Sequence, residues 1–458
     1  MTATATADMS TTRRDGRGFD AWVGRHAPFG RSLTFITAVG AVWRLGYLIF
    51  AKADQHLALN DSMYFSIQAG LNAEGRWFED GLTGQPGAEH GMLTSLYLTP
   101  WSIGSSNGAF RQRFALTLVG IATVAVIGLT GRRLAVVLGG TARPAGDRVT
   151  PERVGLVAAA IAATYPNLWI NDSVVMSETI AILLVSLSLF VAIGHHDNQT
   201  VRSGMQLGAL AGLAALTRSE LILLVPGFAA VSAILSRLRH RSSWPAVAVL
   251  VAGVATVLPW GIYNTARFND PAFLSTNDGT TLLGANCDST YYDDIGGWDL
   301  FCLAPLEDVG IGHQPGDPDA SERSSARRER AFTYINDHVD RIPVVVMARV
   351  GRLLDVYGLS SMVTLDVGEE KAEWAVWAGV VSWWLLALLA VSGWRTLSRR
   401  RVGRRWWLAV PWVAVFATTV LIYGAHRIRA PGEPIVVLLA AVAIVMWWER
   451  VSAADANS

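Results

Sequence analysis

Charged side chains lie at the ends of long apolar stretches of this sequence, and the first of them is Asp61, in the run Leu59–Tyr64. A carboxylate held just outside a membrane span could take the proton of an acceptor hydroxyl, which is general-base chemistry. The same residues also suit a helix start, where Asn60 or Asp61 would act as the N-cap. On the local sequence alone, the cap is favoured.

A second acidic group, Asp172 with Glu178, lies in a very short turn between two apolar stretches. Glu178 falls at or just inside an apolar stretch, where an ionised side chain is costly and is therefore a functional candidate. The structural alternative is that Asp172 caps the next helix while Glu178 stabilises its N-terminal dipole. The sequence does not separate these two interpretations.

Three arginines, Arg218, Arg427 and Arg429, lie at apolar ends on the face opposite the main basic clusters. A guanidinium can bind phosphate oxygens through two parallel hydrogen bonds, which makes each of them a candidate phosphate ligand. Arg218 could instead pair with Glu220 or Glu178, and the other two could anchor a helix end at the membrane surface. We favour phosphate binding for all three.

Membrane-spanning helices must position these residues. The chain has 458 residues, 51% hydrophobic and 16% charged, whereas soluble proteins carry about 25% charged residues. A span takes about 20 apolar residues and must be helical, because unpaired backbone groups are not tolerated in lipid. The sequence therefore predicts an all-α integral membrane protein with about ten transmembrane helices, at about 33–50, 112–131, 153–170, 176–194, 203–217, 219–236, 244–262, 373–394, 406–424 and 433–448.

Arginine clusters fix the expected orientation. They occur around 13–31, 132–153, 237–241 and 395–405. With ten spans all four fall on one face, which the positive-inside rule makes cytoplasmic together with both termini. The net charge of +1 gives no indication of a nucleic-acid partner.

This orientation predicts a multi-pass protein of the plasma membrane. It divides the chain into a cytoplasmic tail (1–32), a membrane domain (33–450) and a C-terminal tail (451–458). An impermeant thiol reagent should then reach single cysteines placed at Asn277 and Gly316, and should not reach positions 140 and 403 in intact cells.

Two large segments, 51–111 and 264–372, fall on the predicted outer face. Helical spacing predicts surface helices over 63–78 and 326–357, while Gly, Asp and Asn around 268–299 indicate turns and short strands. Cys287 and Cys302 lie in the second segment and are expected to form a disulfide if it faces an oxidising compartment. Two free thiols are the alternative.

Four short motifs carry a family resemblance. They are Asn60–Tyr64 followed by Ala69-Gly70-Leu71; Gly212–Arg218 entering an outer turn; Pro259-Trp260 with Tyr263, Asn264 and Arg267 beyond; and Arg427–Pro431 before the last helix. Together they resemble the GT-C superfamily of polytopic glycosyltransferases, in particular the branch with protein O-mannosyltransferases and the lipid-A aminoarabinose transferase. Where many members have paired acidic residues, this chain has Asn60-Asp61, and Ala88–Met92 replaces a Lys/His-Pro-Pro-Leu element.

The resemblance implies inverting transfer of a sugar from a polyprenyl-phosphate-linked donor to a lipid, glycan or protein acceptor outside the membrane, as in building a bacterial cell-envelope glycan. It implies Asp61 as catalytic base with Glu178 as second catalytic carboxylate, and Arg218, Arg427 and Arg429 as ligands of the donor phosphate. The implied substrate-binding residues are Tyr64, Glu89, His90, Glu220, Tyr263 and Asn264.

No cofactor is demanded, although a divalent metal ion at Asp61 and Glu178 stays open. The alternative function is a membrane transporter or flippase of a lipid-linked or small-molecule substrate. Transporters carry ionisable residues near the middle of the membrane, whereas here the unusual charges gather at outer helix ends, apart from Arg44, which lies within the first predicted span. A structural scaffold would explain neither the Thr-Arg turn nor the Arg-Ile-Arg-Ala-Pro run.

Overall fold

The computed structural model describes residues 16–81, 83–104, 108–138, 149–303 and 317–455, with side chains from 28 to 452 of these ranges. Within them every regular element is a helix, apart from one isolated bridge between Glu79 and Pro86. The predicted all-α class is therefore confirmed. Positions 140 and 316, named in the topology prediction, lie outside the described residues.

Eighteen α-helices follow one another in the described part of the chain. The first nine are α1 (Gly16–Tyr47), α2 (Asp61–Ala73), α3 (Met92–Ser102), α4 (Gly108–Ala135), α5 (Pro151–Thr164), α6 (Pro166–Trp169), α7 (Glu178–Asp197), α8 (Val201–Thr217) and α9 (Leu224–Leu238). The second nine are α10 (Trp244–Thr265), α11 (Asp278–Gly284), α12 (Ala320–Asp337), α13 (Ile342–Leu353), α14 (Leu359–Gly368), α15 (Glu373–Arg399), α16 (Arg405–Leu421), α17 (His426–Arg429) and α18 (Glu433–Asp455).

Seven helical segments of the described chain are long and apolar enough to cross a membrane. They are Pro28–Lys52, Gly108–Leu138, Glu178–Asp197, Ser219–Leu238, Trp244–Thr265, Glu373–Arg399 and His426–Ser452. The other three predicted spans coincide with α5, α8 and α16, which have 14, 17 and 17 residues. All ten predicted segments are thus helical, although these three are shorter than the roughly 20 residues that a full crossing takes.

The last span lies at the centre of the bundle. Its apolar window is 89% buried, against 22% for the first span, so other helices surround the last span whereas most of the first span faces outward. Small residues allow the closest packing: a Cβ on Gly204 would collide with the backbone of Pro245, and one on Gly208 with that of Val249. Helices α8 and α10 therefore approach backbone to backbone.

The outer segments are helical, with two corrections to the predicted bounds. The first surface helix ends at Ala73 rather than 78, because Gly75 takes a φ of +89°, the left-handed conformation that ends helices. The single helix predicted over 326–357 is two helices, α12 and α13. The break comes before Pro343, which cannot continue a helix but suits the first turn of one.

The short strands expected around 268–299 are wrong. Backbone donors in this region bond to side chains of α12 instead of to a neighbouring strand: the Asn269 N–H donates to Asp319 and the Gly279 N–H to Ser324, at 2.9 and 3.0 Å. Cys287 and Cys302 are joined by a disulfide, with their Cα atoms 6.0 Å apart.

Candidate active site

Helix α2 is capped by Asn60, which leaves Asp61 available for other contacts. The Asn60 Oδ1 accepts from the Ser62 N–H at 2.8 Å, and its Nδ2 donates to the Gly368 carbonyl at 3.1 Å. The Asp61 carboxylate instead contacts Arg427, Nη2 to Oδ2 at 2.6 Å, and His90, Nε2 to Oδ1 at 3.3 Å. Of the two candidate caps in the sequence, the structure uses Asn60.

Arg427 joins three carboxylates that come from distant parts of the chain. Its guanidinium contacts Asp61 at 2.6 Å, Glu178 at 3.1 Å and Glu369 at 2.8 Å. The Arg427 side chain keeps 16% of its surface exposed and Asp61 25%, whereas Glu178 is buried at 1%. We call Asp61, Glu178, Glu369 and Arg427, together with Arg218, the Arg427 cluster.

Arg218 completes this cluster from the turn after α8. Its Nη1 lies 2.5 Å from Glu178 Oε1 and its Nε lies 2.6 Å from Glu220 Oε1. The pairing of Arg218 with Glu220 and Glu178, which the sequence offered as the alternative to phosphate binding, is therefore present. Glu178 Oε2 is buried and has no hydrogen-bond partner among the described residues, so this carboxylate retains one acceptor atom that no donor uses.

A glycine brings the first outer segment against this turn. A Cβ on Gly91 would lie 2.5 Å from the Leu216 carbonyl oxygen and 2.7 Å from that of Thr217. Only glycine allows such an approach. The contact joins the segment that carries His90 to the turn that carries Arg218.

Electrostatics keep Asp61 ionised. Burial opposes its ionisation, but the charges of His90 and Arg427 outweigh burial and hold the pKa of Asp61 well below its usual value. Burial alone would lower the pKa of His90, and the neighbouring Asp61 carboxylate raises it overall. Burial raises the pKa of Glu89 above its usual value.

Tyr64 and Glu89 lie beside His90. The Glu89 N–H donates to the Tyr64 hydroxyl at 3.1 Å, and the Tyr64 and His90 rings pack edge to face with centroids 5.0 Å apart. The structure thus brings Asp61, Tyr64, Glu89 and His90 together.

Arg429 has its own set of partners, which is joined to the Arg427 cluster through His426, Asp366 and Lys371. Its guanidinium contacts Asp355 Oδ2 at 2.9 Å and Glu433 Oε1 at 2.8 Å, and packs over the Trp383 ring at 4.0 Å. Glu433 also accepts from the Tyr165 hydroxyl at 2.8 Å. The Arg429 side chain is only 1% exposed. Arg429, Asp355, Glu433, Tyr165 and Trp383 form what we call the Arg429 cluster.

Asn264 and Tyr263, the remaining predicted substrate ligands, contact Arg267. Asn264 is fully buried and accepts from Arg267 at 2.9 Å, and the guanidinium lies over the Tyr263 ring at 4.5 Å. Arg267 also donates to the carbonyls of Phe78 and Gly87. These contacts hold the first outer segment against the end of α10.

The sequence interpretation missed the charged run that precedes α15. Glu369 contacts both Arg427 and Lys371, and the neighbouring Glu370 pairs with the buried Arg113 at 2.6 Å. The Glu370 Oε1 also accepts from the Ala58 N–H at 2.9 Å, close to the start of α2. The criterion that singled out Glu178 could have found this run as well, because charges at the predicted outer end of a span are functional candidates.

Asp172 has a structural role. It lies against Arg44 of the first span, with Nε to Oδ2 at 2.6 Å, and it also accepts from Thr179 at 3.3 Å. Among the described residues, no group of three His, Cys, Asp or Glu side chains is arranged to hold a metal ion. An ion between Asp61 and Glu178 would have to displace Arg427, which contacts both.

Comparison with known proteins gives one family match and several similar structures. The family model described as dolichyl-phosphate-mannose-protein mannosyltransferase matches residues 145–263. A search of curated proteins found no match. The oligosaccharyltransferase of Archaeoglobus fulgidus, in a complex with Zn and sulfate, has a TM-score of 0.55 at 14% identity, covering 92% of this chain and 49% of that one.

The Archaeoglobus fulgidus enzyme in complex with an inhibitory peptide and a dolichol-phosphate gives a TM-score of 0.55 at 13% identity, covering 95% of this chain and 52% of that one. The chain thus spans about half the length of the archaeal enzyme. ArnT from Cupriavidus metallidurans bound to undecaprenyl phosphate has 14% identity, covers 94% and 79% of the two chains, and has a TM-score of 0.36, which is too low to bear on the fold. The chain therefore has the same membrane fold as the archaeal structures, and the family match over residues 145–263 agrees with the resemblance predicted from the motifs.

Proposed function

We propose that this protein is a glycosyltransferase that moves a sugar, with inversion, from a polyprenyl-phosphate-linked donor to an acceptor hydroxyl or amide outside the membrane. One observation carries the proposal: the Asp61 carboxylate, which α2 does not need as a cap, lies 2.6 Å from an arginine that the sequence offers as a phosphate ligand. Supporting it, the matched family is described by a dolichyl-phosphate-linked sugar donor, and a similar structure holds a dolichol-phosphate.

The reaction needs a base on one side of the anomeric carbon and positive charge on the other. Asp61 takes the acceptor proton while the acceptor atom forms its bond to the anomeric carbon. The bond from that carbon to the phosphate oxygen breaks, and its electron pair leaves with the polyprenyl phosphate. Arg427 and Arg218 stabilise the charge that grows on the departing phosphate.

Glu178 positions both arginines in this scheme. Its Oε1 contacts Arg218 at 2.5 Å and Arg427 at 3.1 Å. A buried carboxylate between two guanidiniums fixes where their remaining donors point. When the donor binds, its phosphate accepts hydrogen bonds from Arg427 and Arg218. It replaces their contacts with the more exposed carboxylates, Asp61 and Glu220.

We place the site on the outer face of a bacterial plasma membrane, with both termini cytoplasmic and a cell-envelope glycan as product. The support is the charge asymmetry. The Arg427 cluster lies at the ends of its helices opposite the arginine-rich turns around 237–241 and 395–405, and such turns remain on the cytoplasmic side.

Radiolabelled polyprenyl-phosphate sugars, supplied to the purified protein with lipid, glycan and peptide acceptors, test the proposal. We expect transfer from at least one donor, with Asp61→Asn about 10²-fold slower at saturating donor. Asp54→Asn is the matched control, because this exposed carboxylate lies in the same outer segment and should leave turnover unchanged.

Full turnover by a folded Asp61→Asn protein would contradict the catalytic role of Asp61. Protein-dependent movement of the lipid-linked sugar across the bilayer, with no transfer to any acceptor, would favour the transporter alternative instead.

A further inference from the structure

A second charged pocket lies at the opposite end of the bundle from Asp61. Its position follows from α7, which begins at Glu178 in the Arg427 cluster and ends at Asp197 in the wall of this pocket. Twenty residues of helix rise about 29 Å, close to the thickness of the bilayer hydrocarbon core. The pocket has a volume of about 440 Å³.

The pocket wall is strongly basic. It includes the last residues of α7, the end of α9 and the turn between α15 and α16, with the charged side chains Arg239, Arg241, Arg400, Arg401, Arg404 and Asp197. Five guanidiniums therefore face one carboxylate. Guanidinium groups match phosphate oxygens in geometry as well as charge.

Two of these arginines are fixed by the protein, and two others are available. Arg404 is buried and contacts Asp197 at 2.5 Å, and Arg239 contacts His196 Nε2 at 2.9 Å. The side chains of Arg241 and Arg401 are exposed and make no hydrogen bond within the described part of the chain. The pocket thus has a rigid floor and two cationic side chains at its rim.

The surroundings of the pocket identify the kind of anion. Val137, an exposed apolar side chain, lines the pocket, and two more exposed apolar residues are close in sequence to its arginines: Leu238 precedes Arg239 and Trp406 closely follows Arg404. Tryptophan and leucine beside arginines are typical of headgroup depth, where the charge meets the acyl chains. A soluble phosphate would use the guanidiniums but not this apolar rim.

We propose that this pocket binds the phosphate headgroup of an anionic phospholipid. The predicted orientation places it in the cytoplasmic leaflet, whose anionic lipids attract basic segments near the surface. The bound lipid joins the ends of α7, α9 and α16, all three of which run toward the Arg427 cluster. This inference does not depend on the proposed glycosyl transfer.

Thermal unfolding of the delipidated full-length protein in mixed micelles tests the site, with phosphatidylglycerol, phosphatidylcholine or inorganic phosphate at equal phosphate concentration. We expect phosphatidylglycerol to raise the unfolding midpoint saturably, because a ligand that binds only the folded state stabilises it. The Arg241→Gln/Arg401→Gln variant should need at least about tenfold more phosphatidylglycerol for the same rise, as loss of about 1.4 kcal/mol of binding energy predicts. The matched control, Arg237→Gln/Arg399→Gln, removes two exposed arginines of the same clusters outside the pocket and should respond as the unmodified protein does.

Three results would overturn the proposal. An equal loss in the control variant would mean that diffuse basic charge, not the pocket, attracts the lipid. An equal rise with phosphatidylcholine would remove the requirement for an anionic headgroup. A rise with inorganic phosphate that matches phosphatidylglycerol would make the ligand a soluble anion.

Discussion

Arg427 and Arg429 are two residues apart in one short motif, yet they contact different partners and differ in exposure. Arg427 keeps 16% of its side chain exposed and contacts carboxylates of α2, α7 and the run before α15. Arg429 is 1% exposed and is surrounded by Asp355, Glu433 and Trp383. Both were offered by the sequence as phosphate ligands, and their surroundings differ in kind.

Helix geometry explains the difference. The two residues share α17, a single turn, and positions two apart on a helix lie about 200° apart around its axis. One side of that turn faces Asp61 and Glu178, and the other faces Asp355 and Glu433 in the interior of the bundle. We therefore propose that this motif of two arginines combines one residue that acts in the reaction with one that supports the fold.

Removal of the buried arginine is expected to have the largest effect. Arg429→Gln removes the cationic partner of the buried Glu433 and one of the two partners of Asp355, which keeps His426. Breaking such a buried pair costs about 3–5 kcal/mol of unfolding free energy. We expect a large fall in the thermal unfolding midpoint and poor yield. The double variant Arg429→Gln/Glu433→Gln should recover part of the loss, and an additive result would contradict the direct pairing.

The exposed arginine should affect the reaction more than the fold. Arg427→Lys keeps the charge but loses the planar fork, so we expect transfer to fall about 10- to 100-fold, as loss of one charge-assisted hydrogen bond of about 1.5–3 kcal/mol predicts. Steady-state kinetics with varied donor separate weaker donor binding from slower chemistry. The same change at Arg429 should lower the unfolding midpoint and spare the turnover of the protein that folds; the reverse pattern would exchange the two roles.

Asn60 and Asp61 repeat this proposed division between folding and chemistry at adjacent positions. Asn60→Ala removes the α2 cap and should lower the free energy of unfolding by about 1 kcal/mol, while the Asp61 carboxylate keeps its partners. Chemical denaturation and the transfer assay on the same preparation measure both effects. A fall in turnover as large as that of Asp61→Asn would show that the cap position also acts in the reaction.

The sequence predicted the helical architecture and four members of the Arg427 cluster for a physical reason. Ionised groups at the outer ends of apolar segments are costly, so Asp61, Glu178, Arg218 and Arg427 each stood out alone. The sequence could not predict which acidic side chain pairs with which basic one. Glu369 meets Arg427 across 58 positions of chain, a contact set by how α15 and α18 pack rather than by local spacing.

Local sequence patterns also did not predict which side chains of the motifs are buried. Asn264 and Arg429 belong to motifs that match the family, yet both side chains are fully or almost fully enclosed. A motif match identifies the type of a residue but not whether its side chain is buried. A residue can belong to a motif because it supports the fold. The structure assigns Asn264 to the Arg267 contacts and Arg429 to the Arg429 cluster.

The smallest expected effect is a pH dependence of stability from the pair of His90 and Asp61. The folded pKa of His90 is raised above 6.5, so its contribution is complete below about pH 6.5 and is lost as the pH rises through the folded value. The pKa of Asp61 is lowered, so its contribution is lost only in acid. These side chains are 15% and 25% exposed, and such pairs contribute about 1 kcal/mol or less.

We therefore expect His90→Gln to lower the unfolding midpoint at pH 5.5 and to lower it less at pH 9. His56→Gln, which changes an exposed histidine of the same segment, should leave the midpoint unchanged at both pH values. A deficit that stays constant from pH 5.5 to 9 would mean that His90 contributes through its packing against Tyr64 and not through its charge.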